Sequence, residues 1–449
     1  MSIIALLRGL GGILLLLAIA FLFSNNRRKI NWRLVGSGLL IQVIFAIFIL
    51  YAEPMRRFFF PLGWPKDLIN ALGKGVVSLL NFTIEGATFV FGSLANSSGP
   101  NSLGFFFAFQ VLPTIIFVAS LTSVLYYLGI LQRVVKGMAW VMAKTMGTSG
   151  AEALSNTANI FVGQTEAPLL IKPYIATMTR SEILTIMSGG MATVAGGVMA
   201  SYIQMLGQTM SAVKGVPLAE AQVAFAVQLL AASTMAAPAS IVISKILIPE
   251  TEVPKTKGTV KLQVEKNASN VIEAAATGAA DGLQLALNVA GMLIAFIASI
   301  ALINALLHSF GQITHLNGWL MAHYGQGLTL QFLLGALLKY LAVGIGVPLK
   351  DAFHFGSLFG TKIVLNEFVA YVDLTKLMGL KAMSDKGIMM ATYALCGFAN
   401  FSSIAIQIGG IGPMAPERRK DIAALGLKAV LGGALATLMT ATLAGIFLG

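Results

Sequence analysis

The chain has 449 residues, 57% of them apolar and only 11% charged, with a formal net charge of +12. A single cysteine, Cys396, excludes an internal disulfide framework, and four scattered histidines give no metal-ligand spacing. Long uncharged stretches place the chain among multi-span membrane proteins, where a positive excess reads as cytoplasmic loops; no basic–aromatic interleaving points to nucleic acid.

The opening "MSIIALLRGLGGILLLLAIAFLF" resembles a signal peptide, but no cleavage site leads into a soluble domain and a second apolar run follows at once. Eight spans are predicted, at about 9–26, 34–52, 105–131, 183–205, 222–247, 283–307, 388–411 and 428–449. Arg27, Arg28, Lys29 and Arg33 put the first loop in the cytoplasm and the N-terminus outside. Within 53–104, "FFFPLGWPKDLINALGKG" reads as an interfacial amphipathic helix. Arg133, Lys136 and Arg180 then fall inside, as do Lys255, Lys257, Lys261, Lys266, Arg418, Arg419 and Lys420. Residues 308–327, without Lys or Arg, fall outside, and the C-terminus returns outside.

For this alternation to hold, 134–178 and 328–380 must each leave and re-enter on one side. Both are apolar yet interrupted, by "GQTEAP" in one and by "GVPLKDAFHFG" and "LNEFVAY" in the other. Non-helical backbone at membrane depth needs protein or water around it, so both are predicted to be re-entrant helical hairpins. A span broken by small and polar residues follows each: "SGGMATVAGGVMASY" (188–202) and "CGFANFSSIAIQIGG" (396–410). Hairpin, broken span and plain span thus occur twice in opposite orientations, the inverted repeat of secondary transporters. Close packing of Gly-rich spans explains the glycines but not the paired acids. The organisation read is 1–132 as N-terminal spans and interfacial helix, 133–249 as first repeat, 250–327 as linker and central span, and 328–449 as second repeat.

An acidic residue inside a membrane is a functional candidate by default, which singles out Glu166 and Glu367. Pairing with Lys172 or Lys362 for structure alone is the competing explanation. Gln164 and Thr165 precede Glu166, Asn366 precedes Glu367, and Asn400, Ser402 and Ser403 follow in the second repeat. Carboxylates, amides and hydroxyls together suit a neutral ligand rich in hydroxyl and amide groups, whereas an anion would call for Arg or helix N-termini. Phe398 and Phe401 flank Asn400 and offer faces for a flat base, or simply pack. Asn159 and Thr193 sit at predicted breaks and could supply oxygens to a small cation, or cap helices. Enzymatic readings find no nucleophile–base pair, phosphate loop or metal cluster.

Four ordered motifs, "GQTEAPLLIKPY", "NVIEAAATGAADGLQLALNVAGMLIAF", "LNEFVAY" and "CGFANFSSIAIQIGGIG", resemble the concentrative nucleoside transporter family in its short bacterial form. The resemblance covers almost the whole chain. It implies an all-α polytopic protein with eight transmembrane helices and two re-entrant hairpins, assembled as a homotrimer in the bacterial inner membrane. It also implies base recognition by Gln164, Thr165 and Glu166, and ribose recognition by Glu367, Asn400 and Ser403. Phe398 and Val198 would line the base and ribose. The coupling ion, Na+, would lie at Asn159, Val162, Thr193 and Val194. The function implied is sodium-driven import of uridine-like nucleosides by alternating access; the alternative is proton coupling through a buried carboxylate.

Overall fold

The computed structural model describes residues 3–447 except 53, 55, 57–62, 97–102, 105, 259–267 and 325. Lys261, Lys266 and the Phe58–Leu62 start of the expected interfacial helix therefore lie outside the described residues. The described residues contain no β-strand, only an isolated antiparallel bridge between Ser149 and Lys257.

The N-terminal region supplies α1 (Ile3–Leu22), α2 (Trp32–Leu50), α3 (Trp64–Phe91) and α4 (Leu112–Tyr127). Asn31 caps α2 by accepting from the backbone N–H groups of Arg33 and Leu34. Helix α3 differs from expectation in length. The amphipathic helix continues for 28 residues: it passes through Gly73, Gly75 and Gly86, none at positive φ, and ends at Gly92, which is. It buries Gly73, Val77, Leu80, Thr83 and Ala87, a three-to-four-residue stripe.

Two parallel series follow. The first comprises α5 (Ile130–Met146), α6 (Gly150–Ala158), a short return through Ala167–Ile175, α7 (Arg180–Ala192), α8 (Gly196–Lys214) and α9 (Leu218–Leu247). Next comes the central helix α10 (Val271–Ile313). The second series comprises α11 (Leu330–Gly344), α12 (Ala352–Val364), α13 (Glu367–Gly379), α14 (Asp385–Leu395), α15 (Phe401–Ile411) and α16 (Arg419–Phe447). The segments expected as hairpins, 134–178 and 328–380, are each longer than one hairpin. Each begins with a separate helix, α5 or α11, and only then forms a helix–tip–helix unit. Gly129 and Gly147, both at positive φ, fence off α5 in this way.

Among the described residues eight helical segments can cross a membrane by length and composition, α7 and α8 counting as one, and they include α3. The span 388–411, expected to be broken, consists of two 11-residue halves, α14 and α15, separated at 396–400. The span near 183–205 is likewise divided into α7 and α8 at 193–195. Helices α7, α9 and α16 are buried along most of their length, whereas α10 is largely exposed. At 43 residues α10 reaches about 65 Å, roughly twice the hydrocarbon thickness. Among the described residues its most extensive packing is against α4. A Cβ on Gly282 would lie 2.8 Å from the Ile116 Cα, and one on Gly278 2.8 Å from the Ala119 carbonyl oxygen. The two backbones therefore approach through a small-xxx-small stripe, and the Ser120 hydroxyl reinforces it by donating to the Ala275 carbonyl (2.8 Å).

An ionic cluster ties one end of the first series together. Ser149 with Glu152, and Thr179 with Glu182, form capping boxes at the starts of α6 and α7. Lys245, near the end of α9, reaches Glu152 (2.8 Å), Glu250 (3.1 Å) and the Ser181 hydroxyl (3.0 Å). Lys245 and Glu152 are buried, so loss of Lys245 would strand the Glu152 carboxylate, whereas loss of Glu152 would leave Lys245 paired with Glu250 alone. The cluster thus holds α6, α7 and α9 as one body.

Candidate functional site

The breaks in the two spans face each other. Gly397 has φ +155°, and a Cβ there would stand 2.8 Å from the Met191 carbonyl oxygen and 2.9 Å from the Ala192 carbonyl carbon. Only glycine permits this backbone and this approach. The first hairpin tip is joined to its own repeat's break, since the Gly196 N–H donates to the Phe161 carbonyl (3.2 Å).

Around this junction lies a cavity of about 140 Å³. Gln164, Thr165, Glu166, Val198, Glu367, Phe398, Asn400 and Ser403 all line it, so the eight expected substrate contacts come together from four stretches of chain. The polar wall is a continuous hydrogen-bond chain. Tyr202 donates its hydroxyl to Glu367 Oε1 (2.9 Å), and Asn400 Nδ2 donates to Glu367 Oε2 (3.1 Å). Asn400 Oδ1 accepts from the Ser403 N–H (2.8 Å) as N-cap of α15, and Gln164 Nε2 donates to the Ser403 hydroxyl (3.2 Å). Asn366, as N-cap of α13, accepts from the Val369 N–H (2.9 Å) and leaves Glu367 in the first helical turn, where the dipole favours a negative charge.

Two members of this chain escaped the sequence reading: Tyr202 and Gln407. Gln407 Nε2 donates to the Met187 carbonyl (2.9 Å) and to Gln164 Oε1 (3.0 Å). A carbonyl can only accept, so Gln407 must present its amide nitrogen. Gln164 then presents oxygen to Gln407 and turns its own nitrogen toward Ser403. The orientation of the Gln164 amide is therefore set from a backbone carbonyl on α7. The apolar wall from α10, with Leu285, Val289 and Met292, was also unread. Their signal, a hydrophobic helix face, is the same one that any packed helix carries.

The two carboxylates differ. Glu367 is buried, whereas Glu166 is exposed and stands where the cavity meets a second one of about 280 Å³. Gly163, Glu166, Ala195 and Leu285 line both. The larger cavity runs between α4, α5 and α10 toward Gln132 and Ala268. Among the described residues neither acid forms an ion pair with a lysine within 4.0 Å, although Lys362 lies near enough to Glu367 to interact with it electrostatically.

The expected ion ligands sit behind the first hairpin tip. Asn159 is the C-cap residue of α6 and is fully buried, yet neither its Oδ1 nor its Nδ2 has a hydrogen-bond partner among the described residues. Capping by its side chain is therefore no explanation. Thr193 and Val194 are buried at the break after α7, where Thr193 is extended and its hydroxyl donates to the Gly189 carbonyl (3.0 Å). At the end of α6 the Thr157 carbonyl accepts from the Ile160 N–H (3.2 Å) and the Ala158 carbonyl from the Phe161 (2.9 Å) and Val162 (3.0 Å) N–H groups. Among the described residues no cluster of His, Cys, Asp and Glu could hold a metal ion. Neutral oxygens of this kind fit a hard monovalent cation.

Residues 228–445 match the family model described as Na+ dependent nucleoside transporter C-terminus, 11–94 match its N-terminus counterpart, and 108–209 match "Nucleoside recognition". The chain is 47% identical to an uncharacterized transporter of Haemophilus influenzae, covering 98% of this chain and 97% of that one. It is 42% identical to the nucleoside permease NupC of Helicobacter pylori, with coverage of 98% and 97%. The structure of CNTnw in an inward-facing substrate-bound state superposes with a TM-score of 0.84 at 42% identity, covering 99% of this chain and 98% of that chain. The chain belongs to the concentrative, Na+-dependent nucleoside transporters, a family of membrane carriers and not of enzymes.

Proposed function

We propose that this protein is a symporter that imports uridine-like nucleosides across the bacterial inner membrane, driven by the sodium gradient and working by alternating access. The convergence of a hydrogen-bonded carboxylate, two oriented amides and a hydroxyl on one cavity carries the reading. Gln164, Thr165 and Glu166 hold the base beside Phe398, while Glu367, Asn400 and Ser403 hold ribose hydroxyls beside Val198. Sodium lies among Asn159, Val162, Thr193 and Val194, and the orphaned Asn159 side chain supports that placement over proton coupling. Sodium there orders the first hairpin tip, so the nucleoside meets a prepared Gln164–Glu166 and the two ligands bind cooperatively. One charge moving down 100 mV contributes about 2.3 kcal/mol and a tenfold sodium gradient about 1.4 kcal/mol. Together these allow roughly 500-fold accumulation for one ion per nucleoside.

The larger cavity is the route to the cytoplasm, because it ends near Arg133 and Lys136, which the positive-inside rule places there. The same rule puts both termini outside provided α3 lies along the interface; its Lys66, Asp67, Lys74 and Glu85 favour that position. The two repeats, 133–249 and 328–449, move against a scaffold of 1–132 and 250–327 in a homotrimer. The close α4–α10 pairing supports that division.

Labelled uridine uptake into proteoliposomes tests the reading. With an inward sodium gradient, against a choline control at matched pH, uridine should accumulate above equilibrium. Uptake driven only by an inward proton gradient would transfer the coupling to a carboxylate. Gln407→Leu should raise the uridine half-saturation concentration about tenfold, since it frees the Gln164 amide and strands a buried carbonyl, at about 1.4 kcal/mol. An unchanged uridine half-saturation would remove Gln407 from base recognition.

A further inference from the structure

Each repeat brings two helix C-termini to one place: the end of the first hairpin helix and the end of the first half of the broken span. In the first repeat these are α6, ending at Ala158, and α7, ending at Ala192; neither has a basic residue in its last turn. In the second they are α12 and α14, and the last turn of α12 holds Lys362. Lys362 is completely buried. Its Nζ donates to the Ala394 carbonyl in the final turn of α14 (2.7 Å) and to the Thr437 hydroxyl of α16 (3.1 Å), and it lies 5.6 Å from the Phe359 ring centroid.

Converging C-termini each carry about half a negative charge, so the junction favours a cation. A buried ammonium without a carboxylate at contact distance is costly, and carbonyl, hydroxyl and ring are also what a bare monovalent cation would find there. The first repeat offers the equivalent junction with no tethered cation and with an unpartnered Asn159 side chain. We infer that Lys362 is a covalently tethered counterpart of the coupling ion, filling in the second repeat the place sodium takes in the first, so that one sodium accompanies each nucleoside. The inference rests on the sodium reading above. It also accounts for the asymmetry of the two acids. Beside the permanently held junction, Glu367 is buried and hydrogen-bonded on both oxygens; beside the ion-dependent one, Glu166 is exposed. Lys362 is thus a positioning residue, acting through the ends of α12 and α14.

The test measures net charge moved per uridine in proteoliposomes, together with the sodium-activation curve. The wild type should move one charge per uridine with a Hill coefficient near one. Lys362→Ala opens the junction to a free ion, so the ratio and the Hill coefficient should both rise toward two, and uptake should return only at raised sodium. Lys362→Met removes the charge but keeps the junction filled, so its uptake should stay low at every sodium concentration. Wild-type transport of two charges per uridine would overturn the inference even if neither variant folds, while leaving sodium coupling in place. Lys362→Met with wild-type sodium dependence and rate would overturn it too. Sodium-indifferent uptake by the wild type would remove the coupling reading and the inference with it.

Discussion

Glu367→Gln is expected to cut uridine transport at sub-saturating substrate by about 30- to 100-fold, while the protein still reaches the membrane. Glu367 accepts from Tyr202 on one oxygen and from the Asn400 amide on the other. Glutamine offers one acceptor and one NH2 group, so it can keep the Asn400 bond only with its nitrogen toward the Tyr202 oxygen, whose proton must then turn away from its present acceptor. The charge-assisted bonds lost are worth about 1.5–3 kcal/mol each, and the ribose hydroxyls lose a carboxylate acceptor as well. Tyr202→Phe separates these contributions. It removes one bond to Glu367 and leaves the carboxylate facing the cavity, so its effect should stay below tenfold. Uridine half-saturation and maximal rate measured for both variants decide the matter. Equal losses in the two would mean that Glu367 acts only as a structural anchor for Tyr202.

Much of this site could be read from local pattern because membrane burial makes polar residues conspicuous. Glu166 and Glu367, 201 residues apart, marked equivalent points of a repeat, and Asn366, Asn400 and Ser403 stood out against apolar neighbours. What stayed hidden depends on partners far along the chain. Gln407 acquires its role from Gln164, 243 residues away, and no spacing rule links them. That 388–411 is broken could be read from its small and polar residues, but not that this break meets the other one, with Gly397 fitting against Met191 and Ala192. Helices α5 and α11 were merged with their hairpins for a similar reason. An apolar helix packed beside a bundle and an apolar hairpin arm have the same composition, and only the flanking left-handed glycines hint at the boundary of α5. The 28-residue α3 was underestimated because the polar residues at its start made its first turns look like a complete surface helix.

Asn159→Ala gives the second large effect, and stability and transport should move in opposite directions. In the absence of sodium the wild-type amide is buried with both polar atoms unpartnered among the described residues, which costs about 1–3 kcal/mol. Alanine removes that cost, so the variant's thermal midpoint in choline should equal or exceed that of the wild type. Adding sodium should raise the wild-type midpoint, because an ion that binds only the folded state stabilises it by mass action; at 100 times its dissociation constant the gain is about 2.7 kcal/mol. The variant should lack most of this gain, and the sodium concentration for half-maximal uridine uptake should rise at least tenfold. A residue that merely packed would behave differently: its loss would lower stability equally in both salts and leave the sodium response unchanged. Thr193→Ala offers a partial version, since it deletes a hydroxyl oxygen already engaged with Gly189 but keeps the backbone carbonyls at the break. Its sodium shift should therefore be smaller than that of Asn159→Ala. If proton coupling operates instead, Asn159→Ala should leave uptake under an inward proton gradient untouched, and neither variant should change the response to sodium, because the titrating group would then be a carboxylate on the other side of the hairpin tip.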